Sequence, residues 1–351
     1  MKINPFTLSF GMEPHQYISR YSQTSEITES FTSDNPPTMV YMISGVRGSG
    51  KTVMLSNITE TFSSMKEWIV INVTPDSDIL SSIAAKLYSR DDLNKLFVSA
   101  KLDISALGIG VSIENSHKIF DIETALEQML ERIAKKGKKV LIAIDEITNN
   151  EYVKVFVSIY QILIRQKLPV FLLMTGLYDN IYNLQNEKTL TFLYRAPKIM
   201  LEPLSLNSIA RSYKDILNVD SETASRMSKL TKGYAFAYQV MGFLYWKNIT
   251  SKNGKPDVDS LLSEYDDLLE NYVYEKIWTE LSPKEKDIIA VLSKNEITKV
   301  EDIRNELSLT SGNMSVYRDR LNKKGLIDTS RFGYLSLKLP RFGEVIELWI
   351  D

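Results

Sequence analysis

Residues 39–58 read MVYMISGVRGSGKTVMLSNI. The apolar run from Thr38 to Ser44 has the length and flanks of a buried strand, and a helix is expected from about Lys51 to Met65. Between them Gly45, Gly50, Lys51 and Thr52 fit the pattern G-x-x-x-x-G-K-[ST], with the strand before and the helix after that the pattern requires. Glycine lets such a loop turn with its N–H groups inward. Gly45, Val46, Arg47, Gly48, Ser49 and Gly50, with Val53 in the following helical turn, are therefore expected to line an anion site at a helix N-terminus. Lys51 would add a point charge for β- and γ-phosphates, and Thr52 a hydroxyl for Mg²⁺.

Outward from this loop, strand and helix alternate. EWIVINV (67–73), KKVLIAIDE (138–146), PVFLLMTG (169–176) and KIMLEP (198–203) read as strands, separated by helical patterns such as DIETALEQMLERIAKKG (121–137) and VKVFVSIYQILIRQK (153–167). Strands joined by helical crossovers make a parallel sheet covered on both faces, here over residues 37–202. Residues 97–116, FVSAKLDISALGIGVSIENS, alternate on either side of Gly108 and predict a hairpin insertion. Lys101 is its one basic residue against Asp103 and Glu114, which disfavours phosphate contact.

Five apolar residues, Val140 to Ile144, run into Asp145 and Glu146. This resembles the Walker B element of hydrolysing P-loop ATPases, in which Asp145 would hold the metal ion through water and Glu146 would polarise the attacking water. Thr175 ends the strand expected between the other two and reads as a sensor of the γ-phosphate or the attacking water. Arg195 precedes the last strand, either as a finger supplied across a subunit interface or as half of a structural ion pair. Arg47 is expected to turn its side chain away from the phosphates. With no NKxD element to select guanine and no LSGGQ element, ATP is the expected nucleotide.

Beyond Pro203 the pattern is wholly helical, giving a lid over 203–276. Three short helices followed by strand, turn and strand then predict a winged helix over 277–351. In that module SGNMSVYRDRLNKKG (311–325) is the expected recognition helix, with Ser315, Tyr317, Arg318 and Lys323, and Arg331 lies near the wing tip. Between Thr310 and Arg341 stand seven basic residues against Asp319 and Asp328. The same module could instead dock a protein or another part of this chain.

GVRGSGKT, VLIAIDE, MTGL and RAPKIMLEPLS, followed by LTKGYAFAYQVMG and a winged helix, resemble AAA+-type P-loop ATPases of the STAND and archaeal-ATPase groups, relatives of the origin-recognition initiators. The resemblance implies a helical lid over the nucleotide, an N-terminal segment (1–36) with Ile18 to Arg20 beside the adenine, and a lid contact through Lys232 or Gly233. Ala235 stands where those relatives carry a proline, and Arg226 is the arginine nearest to a lid position. Two functions follow: an ATP-driven ATPase acting on double-stranded DNA in replication, transposition or mobile-element maintenance, or a switch signalling through a protein partner in stress response or defence. Either could assemble into a nucleotide-dependent homo-oligomer.

Composition narrows the remainder. Of 351 residues, 44% are hydrophobic and 25% charged, an ordinary balance for a soluble globular chain. A net charge of −2 gives no global pull toward nucleic acid or membrane. The absence of cysteine excludes disulfides and thiolate chemistry, and two distant histidines, His15 and His117, argue against a zinc enzyme. No apolar run approaches the roughly 20 residues of a membrane span, so a cytoplasmic protein without membrane contact is expected.

Overall fold

Buried apolar runs alternating with amphipathic helices build the first of two units in a computed structural model that describes residues 3–9, 14–110, 112–114, 116–252 and 254–350. This unit comprises Arg20–Ser44 and Lys51–Met200. Its elements are α1 (Tyr21–Thr32), β1 (Val40–Ser44), α2 (Lys51–Ser63), β2 (Trp68–Val73), α3 (Ile79–Tyr88), α4 (Asp91–Ser99), α5 (Ile122–Ala134), β3 (Lys139–Ile144), α6 (Glu151–Arg165), β4 (Val170–Gly176), α7 (Tyr178–Gln185) and β5 (Lys198–Met200). The five strands pair in parallel in the order β2-β3-β4-β1-β5. All residues of β1 and β4 are buried, as central parallel strands covered on both faces must be. Asp78, Asp121 and Asn150 start α3, α5 and α6 by accepting the backbone N–H of Ser81, Thr124 and Val153. Ile144 pairs with Met174 and Ser44 with Gly176, so β4 lies between β3 and β1 and the carboxyl ends of all three are adjacent.

The expected hairpin at 97–116 is not formed among its described residues; Val111 and Asn115 lie outside them. Phe97 instead closes α4, where Leu93 and Phe97, four residues apart, are buried. Gly108 ends a short 3₁₀ turn, Ser105–Leu107, and the nearest thing to strand pairing is a bridge between Asp103 and Lys118. The buried Asp103 carboxylate gathers the loop, accepting from the N–H and hydroxyl of Ser105 (3.0 and 2.6 Å), the N–H of Ile113 (3.0 Å) and the hydroxyls of Ser116 (3.1 Å) and Ser112 (3.3 Å). Local side-chain bonds thus replace the cross-strand ladder.

Those donors, the Ser105 hydroxyl foremost and the Ile113 amide next, hold the Asp103 carboxyl well below its ordinary 3.8. A carboxylate with a depressed pKa stabilises the fold above its unfolded value and loses that contribution as pH falls below it. Thermal melts should therefore separate Asp103→Asn from the wild type widely at pH 7 and less as pH drops beneath 3.8. A separation independent of pH would remove the carboxylate's structural role.

The second unit comprises the described residues of Met1–Ser19, Gly45–Gly50 and Leu201–Asp351. Its elements are α8 (Leu206–Leu217), α9 (Ser221–Leu230), α10 (Ala235–Lys252), α11 (Leu262–Leu269), α12 (Glu275–Thr279), α13 (Pro283–Ser293), β6 (Thr298–Lys299), α14 (Val300–Glu306), α15 (Ser311–Lys323), β7 (Ile327–Asp328), β8 (Tyr334–Leu337) and α16 (Phe342–Glu347). The short strands form an antiparallel sheet in the order β6-β8-β7. Between Val258 and Leu281 the helical run is interrupted: a 3₁₀ turn (Asp259–Leu261) precedes α11, and a π turn (Glu270–Tyr274) joins α11 to α12. At that π turn Tyr274 is buried and donates to the Pro340 carbonyl at 2.5 Å.

Buried tyrosines in this unit's core find partners for their hydroxyls: Tyr213 on the Tyr238 carbonyl (2.7 Å), Tyr238 with the Ser212 hydroxyl (2.7 Å) and Tyr265 on the Leu230 carbonyl (3.2 Å). The predicted N-terminal segment divides. Phe6 fills the notch left by Gly242 on α10, Asn4 donates to the Phe243 carbonyl (3.1 Å), and Ile18 packs on the same core, whereas α1 belongs to the sheet unit.

Candidate nucleotide site

At the carboxyl ends of β3 and β4, one carboxylate organises three groups. Asp145, directly after β3, accepts the Thr52 hydroxyl on Oδ2 at 2.7 Å. Its Oδ1 accepts the Thr175 hydroxyl and the Glu146 N–H, the latter at 3.1 Å. Thr175, fully buried, also accepts the Glu146 N–H on its hydroxyl oxygen at 3.1 Å, while its carbonyl takes the Ile147 N–H at 2.8 Å. Glu146 consequently sits in the left-handed region at φ +52°, a conformation costing a non-glycine residue about 1–3 kcal/mol unless neighbours hold it. Its side chain is exposed. The network fixes the backbone of the carboxylate expected to meet water and leaves its head free. Lys51, the first residue of α2, is buried.

Thr175 therefore orients Asp145 and Glu146 in this structure. Bonding a phosphate, as its expected sensor role requires, would mean giving up Asp145.

The loop Gly45–Gly50, described with the second unit, is a tight turn closed by the Ser49 N–H on the Val46 carbonyl (3.1 Å). Gly48 and Gly50 have φ of +75° and +93°, values that only glycine adopts freely. Arg47 turns its guanidinium onto Glu280 at 2.8 Å, a partner within its own unit.

Other expected residues are placed as follows. Arg195 closes a 3₁₀ turn (Thr191–Arg195), exposed and with no side-chain partner among the described residues. Lys232 donates to the Leu337 carbonyl at 3.2 Å, and Arg226 pairs with Asp257 and Asp259, so both expected lid cations are engaged. Arg320 and Lys324 both reach the buried Glu285, at 3.3 and 2.9 Å. Lys338 lies 3.7 Å from Glu202, and Arg341 forks onto Asp266 at 2.5 and 2.6 Å. Five of the seven basic residues thus serve pairs within the chain, Lys323 in an exposed one with Asp319 (2.7 Å), which leaves Arg318 and Arg331.

Sheet order, loop and carboxylate cluster are those of an α/β P-loop NTPase fold. Residues 22–176 match the family described as an ATPase domain predominantly from Archaea, and residues 271–346 match a domain of unknown function (DUF8462). Comparison with curated proteins finds no match. Among solved structures, the Aeropyrum pernix ORC2 protein in ADPNP-ADP complexes is similar with a TM-score of 0.61 and 13% identity, over 97% of this chain and 96% of that one. CDC6P from Pyrobaculum aerophilum is similar with a TM-score of 0.51 and 12% identity, over 98% of each chain. The fold is thus a P-loop NTPase fold shared with these two structures.

Proposed function

We propose that this chain binds and hydrolyses ATP with Mg²⁺, and that its nucleotide state repositions a helical lid (203–276) and a winged helix (277–351) that acts on double-stranded DNA. The observation carrying the ATPase reading is the Thr52–Asp145–Thr175–Glu146 network at adjacent strand ends. Thr52 and Asp145 would hold Mg²⁺: they are hard oxygen donors 2.7 Å apart, the number and kind this ion takes from protein while keeping water and phosphate as its other ligands. When bound, the ion neutralises charge developing on the phosphate oxygens. Lys51 binds the β- and γ-phosphates, and the Glu146 carboxylate takes the proton of the attacking water. Arg195, exposed and without a side-chain partner among the described residues, is suited to reach the nucleotide of a second copy.

DNA contact is supported by the exposed start of α15, where Ser311, Gly312, Asn313, Ser315 and Val316 present small side chains free of acid. Arg318 has no ion-pair partner among the described residues, and Arg331, beside the fully exposed Phe332, stacks on Tyr334 at 4.1 Å. The exposed Lys323–Asp319 pair is weak enough for a phosphate to displace. Arg318→Glu should weaken binding of a fluorescent duplex severalfold, with a shallower salt dependence, read by anisotropy in the ATP state. No binding by the wild type at low salt would remove the DNA reading. The engagement of five basic residues in pairs within the chain, beside exposed Val316 and Phe332, favours as a second reading the switch that signals through a protein partner. No described helix is long and apolar enough to cross a membrane.

A further inference from the structure

Two carbonyls in the middle of the phosphate loop are capped by α10 and the turn before it. Tyr234 donates its hydroxyl to the Arg47 carbonyl at 2.5 Å, and the Phe236 N–H donates to the Gly48 carbonyl at 3.1 Å. A trans peptide carries its N–H antiparallel to its C=O, so a donor on the Arg47 carbonyl aims the Gly48 N–H away from Tyr234. The next peptide is held from both sides, its carbonyl by Phe236 and its Ser49 N–H by Val46. Gly48 is the only residue type that permits this approach: a Cβ there would overlap the Tyr234 hydroxyl, and φ is +75°. Glu280, just beyond α12, draws the Arg47 side chain off the loop at 2.8 Å. Gly325, following α15, faces Val46, with 3.6 Å between a Cβ built on Gly325 and the Val46 Cβ. Burial raises the Tyr234 phenol well above its ordinary pKa, which keeps it a donor.

We propose that Tyr234 is a positioning residue of the phosphate loop, holding the Arg47–Gly48 peptide in its phosphate-accepting orientation so that displacement of α10 releases nucleotide. The inference rests on the ATP reading and deepens it, because it names the element that sets affinity. Tyr234 acts on the loop's backbone, through the Arg47 carbonyl. Its effect passes through two peptide planes: it sets where the Gly48 N–H points, and an anion-binding concavity forms only when successive peptide units are held in the required conformations.

Tyr234→Phe deletes the hydroxyl and keeps the ring against Tyr274, with which it stacks at 6.4 Å. Binding of a methylanthraniloyl-ADP probe should weaken about fivefold, the equivalent of one lost hydrogen bond, mainly through faster dissociation. KM for ATP should rise while kcat changes little, a split that a purely structural role, read as a lower Tm, would not produce. Unchanged or tighter probe binding by Tyr234→Phe, with Lys51→Ala abolishing it, overturns this inference and leaves the ATP reading intact. Should Lys51→Ala bind the probe as the wild type does, the ATP reading falls and the inference with it.

Discussion

Glu146→Gln is expected to bind ATP as the wild type does and to hydrolyse it about 10²–10⁴-fold more slowly, the range a positioned general base contributes. The structure makes this substitution unusually clean. The left-handed backbone of Glu146 is held by its own N–H, shared between Asp145 and Thr175, and so does not depend on the side chain being replaced. The carboxylate is exposed, which keeps the expected stability change within about 0.5 kcal/mol. Glutamine retains shape and hydrogen-bonding reach but cannot take a proton. Phosphate release from a single turnover separates the two steps, because nucleotide capture should be unchanged while the chemical phase lengthens. Turnover within twofold of the wild type would show that water is activated elsewhere. Thr175→Ala offers an internal comparison: it removes a bond to Asp145 and one to the Glu146 amide, and should slow the same phase by loosening both acids at once.

The parts of the site legible in the sequence are those fixed by short stretches of chain. A strand, a glycine turn and a helix N-terminus occupy fifteen consecutive residues, Ser44 falling between Ile43 and Gly45 as the pattern demands, and VLIAIDE carries its own strand and its own acids. Thr175 could be placed because strand order follows from crossover connections. What could not be read depends on partners far apart in sequence. Asp103 collects donors from four residues spread over Ser105 to Ser116, an arrangement that alternating apolar residues imitate as a hairpin. Glu285 claims Arg320 and Lys324 from 35 and more positions away, so a tally of basic residues overstates the charge that α15 offers a ligand. Tyr234 was visible only as an aromatic residue in a helical turn; its role needs the loop some 187 residues earlier.

Lys51→Ala should abolish measurable ATP binding, and its size can be argued from the charges. Lys51 is the sole basic side chain that the loop pattern directs at the phosphates, since Arg47 is drawn aside by Glu280. Two charge-assisted hydrogen bonds to phosphate oxygens at roughly 1.5–3 kcal/mol each amount to about two to four orders of magnitude in affinity. Alanine is the best helix former for the first turn of α2, so the helix itself should tolerate the change. The increase in Tm that ATP gives the wild type should vanish. Lys51→Arg sharpens the test. It preserves the positive charge but replaces a compact ammonium with a longer planar fork, so binding between that of wild type and alanine would show that the site reads shape as well as charge. Isothermal calorimetry of the three proteins with ATP and ADP decides it, and equal affinity across all three would mean that the phosphates are held by groups other than this loop.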